Sequence, residues 1–209
     1  MQEVLPNVRY AALASESSVQ ATARRLSENG MTAHIVESGA DASRLALGLI
    51  PDDAEVFTAT SQTLEEIGLV AAIDASNRLR SVRSVLREMD MATQWHEMRA
   101  LGARPDVIAG SVHAITEQGE VVVASASGSQ LGPYASGAGK VIWIVGSQKI
   151  VPSLDEAMRR IREYALPLED ERVQLVYGQG SFIGKELIFY REYLPDRVHV
   201  ILVKEKLGF

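Results

Sequence analysis

The chain has 209 residues, 46 % of them hydrophobic and 23 % charged, with a formal net charge of −6. That size suits one substantial core, and an acidic balance without a run of Lys or Arg excludes a nucleic-acid footprint and an anionic membrane surface. With no cysteine, the chain can hold no disulfide, thiolate nucleophile, cysteine-ligated zinc or iron–sulfur cluster of its own. Near the N-terminus, YAALAS (10–15) has the look of a cleavage site, but it lacks a basic leader and a long apolar core. No window approaches a transmembrane span, so a cytoplasmic location is expected.

Apolar periodicity then alternates between helix-like and strand-like. Residues 15–28 predict a helix, with Val19, Ala23 and Leu26 on one face and Asn29-Gly30 as its stop. A strand at 32–36 follows, then a helix at 42–49 that ends before Pro51, because the residue before proline disfavours helical backbone. A buried strand at 55–59 runs into Thr60-Ser61-Gln62-Thr63. Thr63 and Glu66 have capping-box spacing for a helix carrying Leu64, Ile67 and Ala71. A helix at 89–101 stops at Gly102.

Residues 106–151 are the most informative. They read as strand, turn at Glu117-Gln118-Gly119, strand, glycine-rich loop, buried strand, and a polar turn ending in Lys149. Ser153 caps a helix with Asp155 and Glu156 in its first turn, as the helix dipole favours. Residues 173–177 predict a strand, 178–194 a glycine loop running into a helix, and 197–204 a last strand. Strands alternating with helices imply an α/β fold, with a mainly parallel sheet and helices on both faces. One domain over residues 1–209 is expected, residues 1–54 being its N-terminal part. The 117–119 hairpin is its antiparallel exception.

Three junctions, read as strand-to-helix, are candidate anion sites: 60–63, 146–152 and 178–184. Each alone is explained by simple capping, whereas convergence at one sheet edge points to a ligand pocket. Candidate ligand-binding residues are Thr60, Ser61, Gly110, Ser127, Gly128, Ser129, Gln130, Gly146, Gln148, Lys149, Ser181 and Lys185. Lys149 and Lys185 each follow a polar loop and suit neutralisation of an anion, although surface lysine explains either one singly. Glu117 is the candidate catalytic carboxylate, as nucleophile or general base; a solvated turn glutamate is the simpler alternative.

Other chemistries fit less well. GQGSFIG departs from a dinucleotide fingerprint by a three-residue gap between its last two glycines, and Tyr134 stands where a phosphate loop ending in Gly139-Lys140 needs its first glycine. His34, His96, His113 and His199 are scattered, so no metal site is expected, and no motif requires a bound cofactor. A homo-oligomer stays open, because VIWIVG and FYREYL suit burial against a symmetry mate as well as against their own core.

The segments TATSQTLEEIGL, AITEQGEVVVASASGSQL, VIWIVGSQKIVPSLDEAMRRI and RVHVILVKEKLGF together resemble the LUD (lactate utilization) family. The resemblance implies a fold like that of the glucosamine-6-phosphate deaminase, ribose-5-phosphate isomerase and CoA-transferase group. It also implies a role in lactate or organic-acid utilisation beside iron–sulfur partner proteins; the polar loops and lysines themselves suggest a small anionic metabolite as ligand. Gln148 and Gln130 stand where many members carry asparagine and arginine, and the cysteine motifs of longer members are absent. The chain therefore resembles a cluster-free branch. The Glu-x-Gly turn of CoA transferases is similar to Glu117-Gln118-Gly119 in local form. That similarity carries the alternative reading, an enzyme acting on an acyl-CoA or a phosphorylated small molecule through Glu117.

Overall fold

Residues 5–209 are described by the structure, a computed structural model of the chain. Helix α1 (Glu16–Glu28) starts at Ser15, whose Oγ accepts the Ser18 amide, and buries Val19 and Leu26. It leads to β1 (Thr32–Val36), α2 (Gly39–Leu49) and β2 (Glu55–Thr58). Two short helices, α3 (Gln62–Glu66) and α4 (Leu69–Asp74), precede β3 (Arg80–Ser81), α5 (Val82–Glu88) and α6 (Trp95–Ala103). Next come β4 (Val107–Gly110), β5 (Ala114–Thr116), β6 (Val121–Ser125), β7 (Lys140–Gly146) and β8 (Ile150–Val151). The chain closes with α7 (Leu154–Arg160), α8 (Leu166–Tyr177), β9 (Lys185–Phe189) and β10 (Val198–Val203).

Six strands form a parallel sheet in the order β1-β10-β7-β4-β2-β3. Its central strands β7 and β10 are apolar almost throughout, as strands covered on both faces must be. Alternation along them sorts the core. Ile142, Ile144, Ile201 and Val203 face α2, α3 and α4 through Ala42, Ala46, Leu64 and Leu69. Val141, Trp143, Val198 and Val200 face the other way, towards Val19 and Leu26 of α1 and Val82 of α5.

That second face also meets a smaller sheet, β8-β5-β6-β9, through Ile115, Val121, Val123 and Phe189. The far side of the small sheet packs Ala114, Val122 and Val151 on Ala157 and Ile161. The architecture is thus α/β with helices on both faces of the main sheet and the antiparallel hairpin in a sheet of its own. Within the hairpin, Ala114 pairs with Val122 and Ile115 with Val121.

Several expected elements differ. Residues 173–177 are the last turns of α8 and not a strand. The helix of α7 runs on through a wide turn at Ile161–Ala165 into α8, and the Glu163 carbonyl, to which Pro167 cannot donate, accepts the Asn7 amide at 2.8 Å instead. Extending an existing helix costs less than starting a strand, and Leu175 is left exposed as a result. Residues 178–194 do not enter a helix. Gly178, at φ +69, ends α8, and β9 pairs antiparallel with β6, satisfying an edge that otherwise lacks partners.

The helix expected at 89–101 begins only at Trp95. Before it, Asp90 draws the amides of Ala92 and Gln94 into a turn, through its side chain and its carbonyl. Thr63 does not cap α3: Ser61 occupies the cap position, and Glu66 accepts the Gly208 amide instead. VIWIVG lies in the chain's own core, whereas Tyr190, Tyr193 and Leu194 of FYREYL are exposed. No helix among the described residues is long and apolar enough to cross a membrane.

The loop after β6 ends in a wide turn, Pro133–Gly137, whose carbonyls lie outside ordinary helical pairing. Buried Arg197 collects them: it donates to the carbonyls of Pro133, Tyr134 and Ala138, and pairs with buried Glu192 at 2.6 Å. Two glycines are fixed by close approach. A Cβ on Gly110 would fall 1.6 Å from the Tyr134 hydroxyl, and one on Gly146 2.7 Å from the backbone nitrogen of Leu207.

Candidate functional site

β7, β4 and β2 lie side by side in the main sheet, and the chain leaving their carboxyl ends turns into one crevice of about 260 Å³. Such an edge is where open parallel sheets place ligands. β2 delivers Thr60, Ser61 and Thr63; β4 delivers Ser111 and His113; β7 delivers Lys149. The opposite wall comes from Ser125, Ser127, Ser129, Gln130 and Tyr134, and from α8 and the chain before β9, with Glu169, Arg172, Ser181 and Phe182.

Lys149 ends a single 3-10 turn after β7 and is only 2 % exposed. Its Nζ donates to Thr63 Oγ1 at 3.0 Å and to Ser111 Oγ at 3.1 Å. Both hydroxyls send their own hydrogens elsewhere, Thr63 to the Leu207 carbonyl at 3.3 Å and Ser111 to the Ile144 carbonyl at 2.7 Å. Among the described residues no carboxylate pairs with this amine. Burial first, and then the Arg160 cation, push its pKa down to about 7, against a weaker upward pull from Glu66.

Arg160 is itself buried. Its Nε and Nη1 donate to the carbonyls of Gln148 and His113, while Nη2 has no hydrogen-bond partner among the described residues. His113 Nδ1 accepts the Ala124 amide at 3.1 Å, which fixes the proton of the neutral ring on Nε2. Burial, with Lys149 and Arg160 adding repulsion, lowers its pKa to about 3, so this histidine stays neutral. On the rim, Arg172 and Glu169 form a two-pronged pair at 2.7 Å that adds no net charge. Lys149 and Arg160 are thus two buried basic side chains at this end of the sheet, with Glu66 as the nearby carboxylate that acts on Lys149.

The facing loop is folded on its own hydrogen bonds. Ser125 Oγ accepts the Gly128 amide and donates to Gln130 Oε1 at 3.0 Å, with Gly128 at φ +87. It is the Oε1 of Gln130 that the bonds from Ser125 and Ser129 occupy. Thr60 Oγ1 accepts from Arg83 at 3.2 Å.

Of the residues expected from sequence, Thr60, Ser61, Ser127, Ser129, Gln130, Lys149 and Ser181 line this crevice. Two of the three anion-site junctions reach it as strand exits. The third, 178–184, reaches it as a helix-to-strand connection. Gly110, Gly128, Gly146, Gln148 and Lys185 lie behind the wall. Gln148 Nε2 donates to the Leu207 carbonyl at 2.8 Å, holding the C-terminal segment beside Lys149. Lys185 Nζ donates to the Ser127 carbonyl at 3.1 Å and braces the loop from outside.

Glu117 is not brought to the crevice. It sits at the hairpin tip, where Oε1 accepts from Ser18 Oγ at 2.7 Å and its amide donates to the Val151 carbonyl. Four residues of extended chain, roughly 13 Å, separate it from His113. Sequence reasoning missed Ser111, Ser125 and His113, and reached Thr63 only as part of the 60–63 junction. Ser111 directly follows a buried strand, the same signal that picked out Thr60. Glu169 and Arg172 were hidden because α8 was not expected to extend so far. Among the described residues no group of three or more His, Asp or Glu is arranged to hold a metal ion.

A search of curated proteins finds no match. The family model described as LUD domain matches residues 19–203. Among solved structures, a DUF162 family protein from Deinococcus radiodurans is similar at 12 % identity, over 92 % of this chain and 99 % of that one, with TM-score 0.49. A D-ribose-5-phosphate isomerase, solved with phospho-erythronic acid, is similar at 12 % identity over 81 % and 96 % of the two chains, with TM-score 0.44.

Proposed function

The chain belongs to the LUD domain family, and we propose that it binds a small anionic metabolite in the crevice, with Lys149 as the cationic anchor. The observation that carries this reading is a buried amine held between two hydroxyls with no carboxylate paired to it among the described residues. Burying an unpaired cation costs several kcal/mol, and an arriving anion supplies the missing partner. Serine and threonine hydroxyls and the Gln130 amide suit a carboxylate or phosphate oxygen. At about 260 Å³ the crevice falls below the usual ~300–1,000 Å³ of drug-sized pockets, which favours an acid of a few carbons. On this reading the protein serves lactate or related organic-acid utilisation in the cytoplasm. With no cysteine in the chain, any iron–sulfur chemistry falls to partner proteins.

Thermal shift and calorimetric titration at pH 6.5 with L-lactate, pyruvate, inorganic phosphate and glycerol phosphate test the reading. At least one should raise the melting temperature of the wild type and fail to do so in Lys149→Met. Equal stabilisation of both proteins, or of neither, overturns it.

A further inference from the structure

We propose that Lys149 is a nucleophilic amine, and that the metabolite it holds carries a carbonyl beside its acid group: a short 2-oxo acid bound as an imine. This rests on the anion-binding reading and goes a step past it. The argument counts valences. A neutral primary amine has two N–H donors and one lone pair. Thr63 and Ser111 take the two donors, and their own hydrogens are committed to the carbonyls of Leu207 and Ile144. Neither hydroxyl can therefore donate back to the nitrogen. The lone pair is left for whatever enters the crevice, since no other described group donates to it.

A structural lysine would show the opposite pattern, with a carboxylate or several carbonyls absorbing all three ammonium donors. Burial supports the same conclusion by holding the pKa near 7, so that much of the amine is unprotonated at neutral pH. Apolar Ala59, Ala124, Ile161 and Ala165 in the wall suit a short alkyl tail.

The step balances without any oxidant or reductant. The lone pair forms a C–N bond to the carbonyl carbon as the C=O π pair moves to oxygen. One nitrogen-bound proton passes to that oxygen, giving a carbinolamine. The nitrogen pair then expels the hydroxyl as water, which leaves with the second nitrogen-bound proton, and C=N remains. Thr63 and Ser111 orient the amine by accepting those two hydrogens; because their own hydrogens are committed elsewhere, both protons pass from nitrogen to the oxygen without a relay through them.

The test is reductive trapping at pH 7. Wild type, Lys149→Arg and Lys149→Met are incubated with sodium cyanoborohydride and pyruvate, glyoxylate or, as a carbonyl-free control, L-lactate. Intact mass and peptide mapping follow. Expected is a single adduct on Lys149 of the wild type with the 2-oxo acids, formed at least about 100-fold faster than at exposed lysines, whose neutral fraction is far smaller. Its rate should level off above pH 7, while trapping at other lysines keeps rising. Lys149→Arg, which keeps the charge, should lose the adduct while retaining stabilisation by the acids.

If pyruvate and glyoxylate stabilise the wild type and no Lys149 adduct forms, the imine is refuted and anion binding stands. Trapping spread evenly over the lysines refutes it too. If no acid or phosphate stabilises the protein and no adduct appears, both proposals fall.

Discussion

The two ends of the β5–β6 hairpin carry polar groups of similar promise and opposite surroundings. At the tip, Glu117 has a neighbouring serine as partner and is only half-buried. At the other end, the strands open onto Lys149, which lines the crevice yet is almost wholly buried between two hydroxyls whose hydrogens point away. The hairpin is common to both, so the difference lies in desolvation and in the missing counter-charge. A charged side chain becomes chemically special when folding removes its water without supplying an opposite charge.

The largest effect expected from breaking this contrast is at Lys149. Replacing it with methionine should abolish stabilisation by small anions while leaving the resting protein as stable, or more stable by about 1–3 kcal/mol, because an unpaired buried cation is removed. The pH dependence should change with it. The folded pKa, about 7, lies below the ordinary lysine value of 10.5, so between these the unfolded chain holds a proton that the folded one has released. Wild-type stability should therefore gain with rising pH across that window, by a few kcal/mol in all, and Lys149→Met should lose this contribution. Urea melts at several pH values measure both.

Next in size is Gly146→Ala. The added Cβ meets backbone of Leu207 and Glu205 as well as the Gln148 side chain, and only backbone movement can relieve the first two. A loss of about 3 kcal/mol is expected by denaturant titration, together with weakened anion binding. Smaller, and free of mutation, is the pH dependence of binding itself. If the ammonium form is the anchor, the Kd for a non-carbonyl anion such as phosphate or L-lactate should rise by about tenfold per pH unit above 7. Calorimetry from pH 6 to 9 would show it, and a flat profile would detach the anion from Lys149. The smallest effect belongs to the hairpin tip. Glu117→Gln should cost under about 1 kcal/mol and leave anion affinity unchanged. If it weakened binding more than Lys149→Met did, the contrast between the two ends would be inverted.

How much of this was legible in sequence follows the same physics. α1, β1, β7 and β10 stand out because their apolar residues repeat with the period of the element and the element is buried. α8 and β9 were misread because a five-residue run such as VQLVY fits either periodicity, and the arbiter is tertiary: a helix already under way, and an edge of β6 needing a partner. In the site, Thr60, Ser61, Gln130 and Lys149 were visible as polar residues following buried strands. The partnership of Lys149 with Thr63 and Ser111 was not. It depends on where two hydroxyl hydrogens go, and their acceptors, Leu207 and Ile144, are 144 and 33 residues away. Thr63 in particular resembled a helix cap, and only the docking of residues 205–208 against α3 gives it another duty.

Arg197 separates two tasks that loops usually combine. Its guanidinium grips main-chain oxygens of the 133–138 turn and no side chain there, so the shape of the crevice's far wall is set from beneath, whatever residues the wall displays. Substitutions at Ser127, Ser129 or Gln130 can then alter which acid is preferred at little cost to folding, as exchangeable fittings on a fixed frame. Gln130→Ala is the simplest check: its folding free energy should fall by no more than about 1 kcal/mol, the worth of its bond from Ser125, while the ranking of bound anions shifts. Diversification of such a protein would begin on that loop, with Arg197 and Lys149 as the parts that stay.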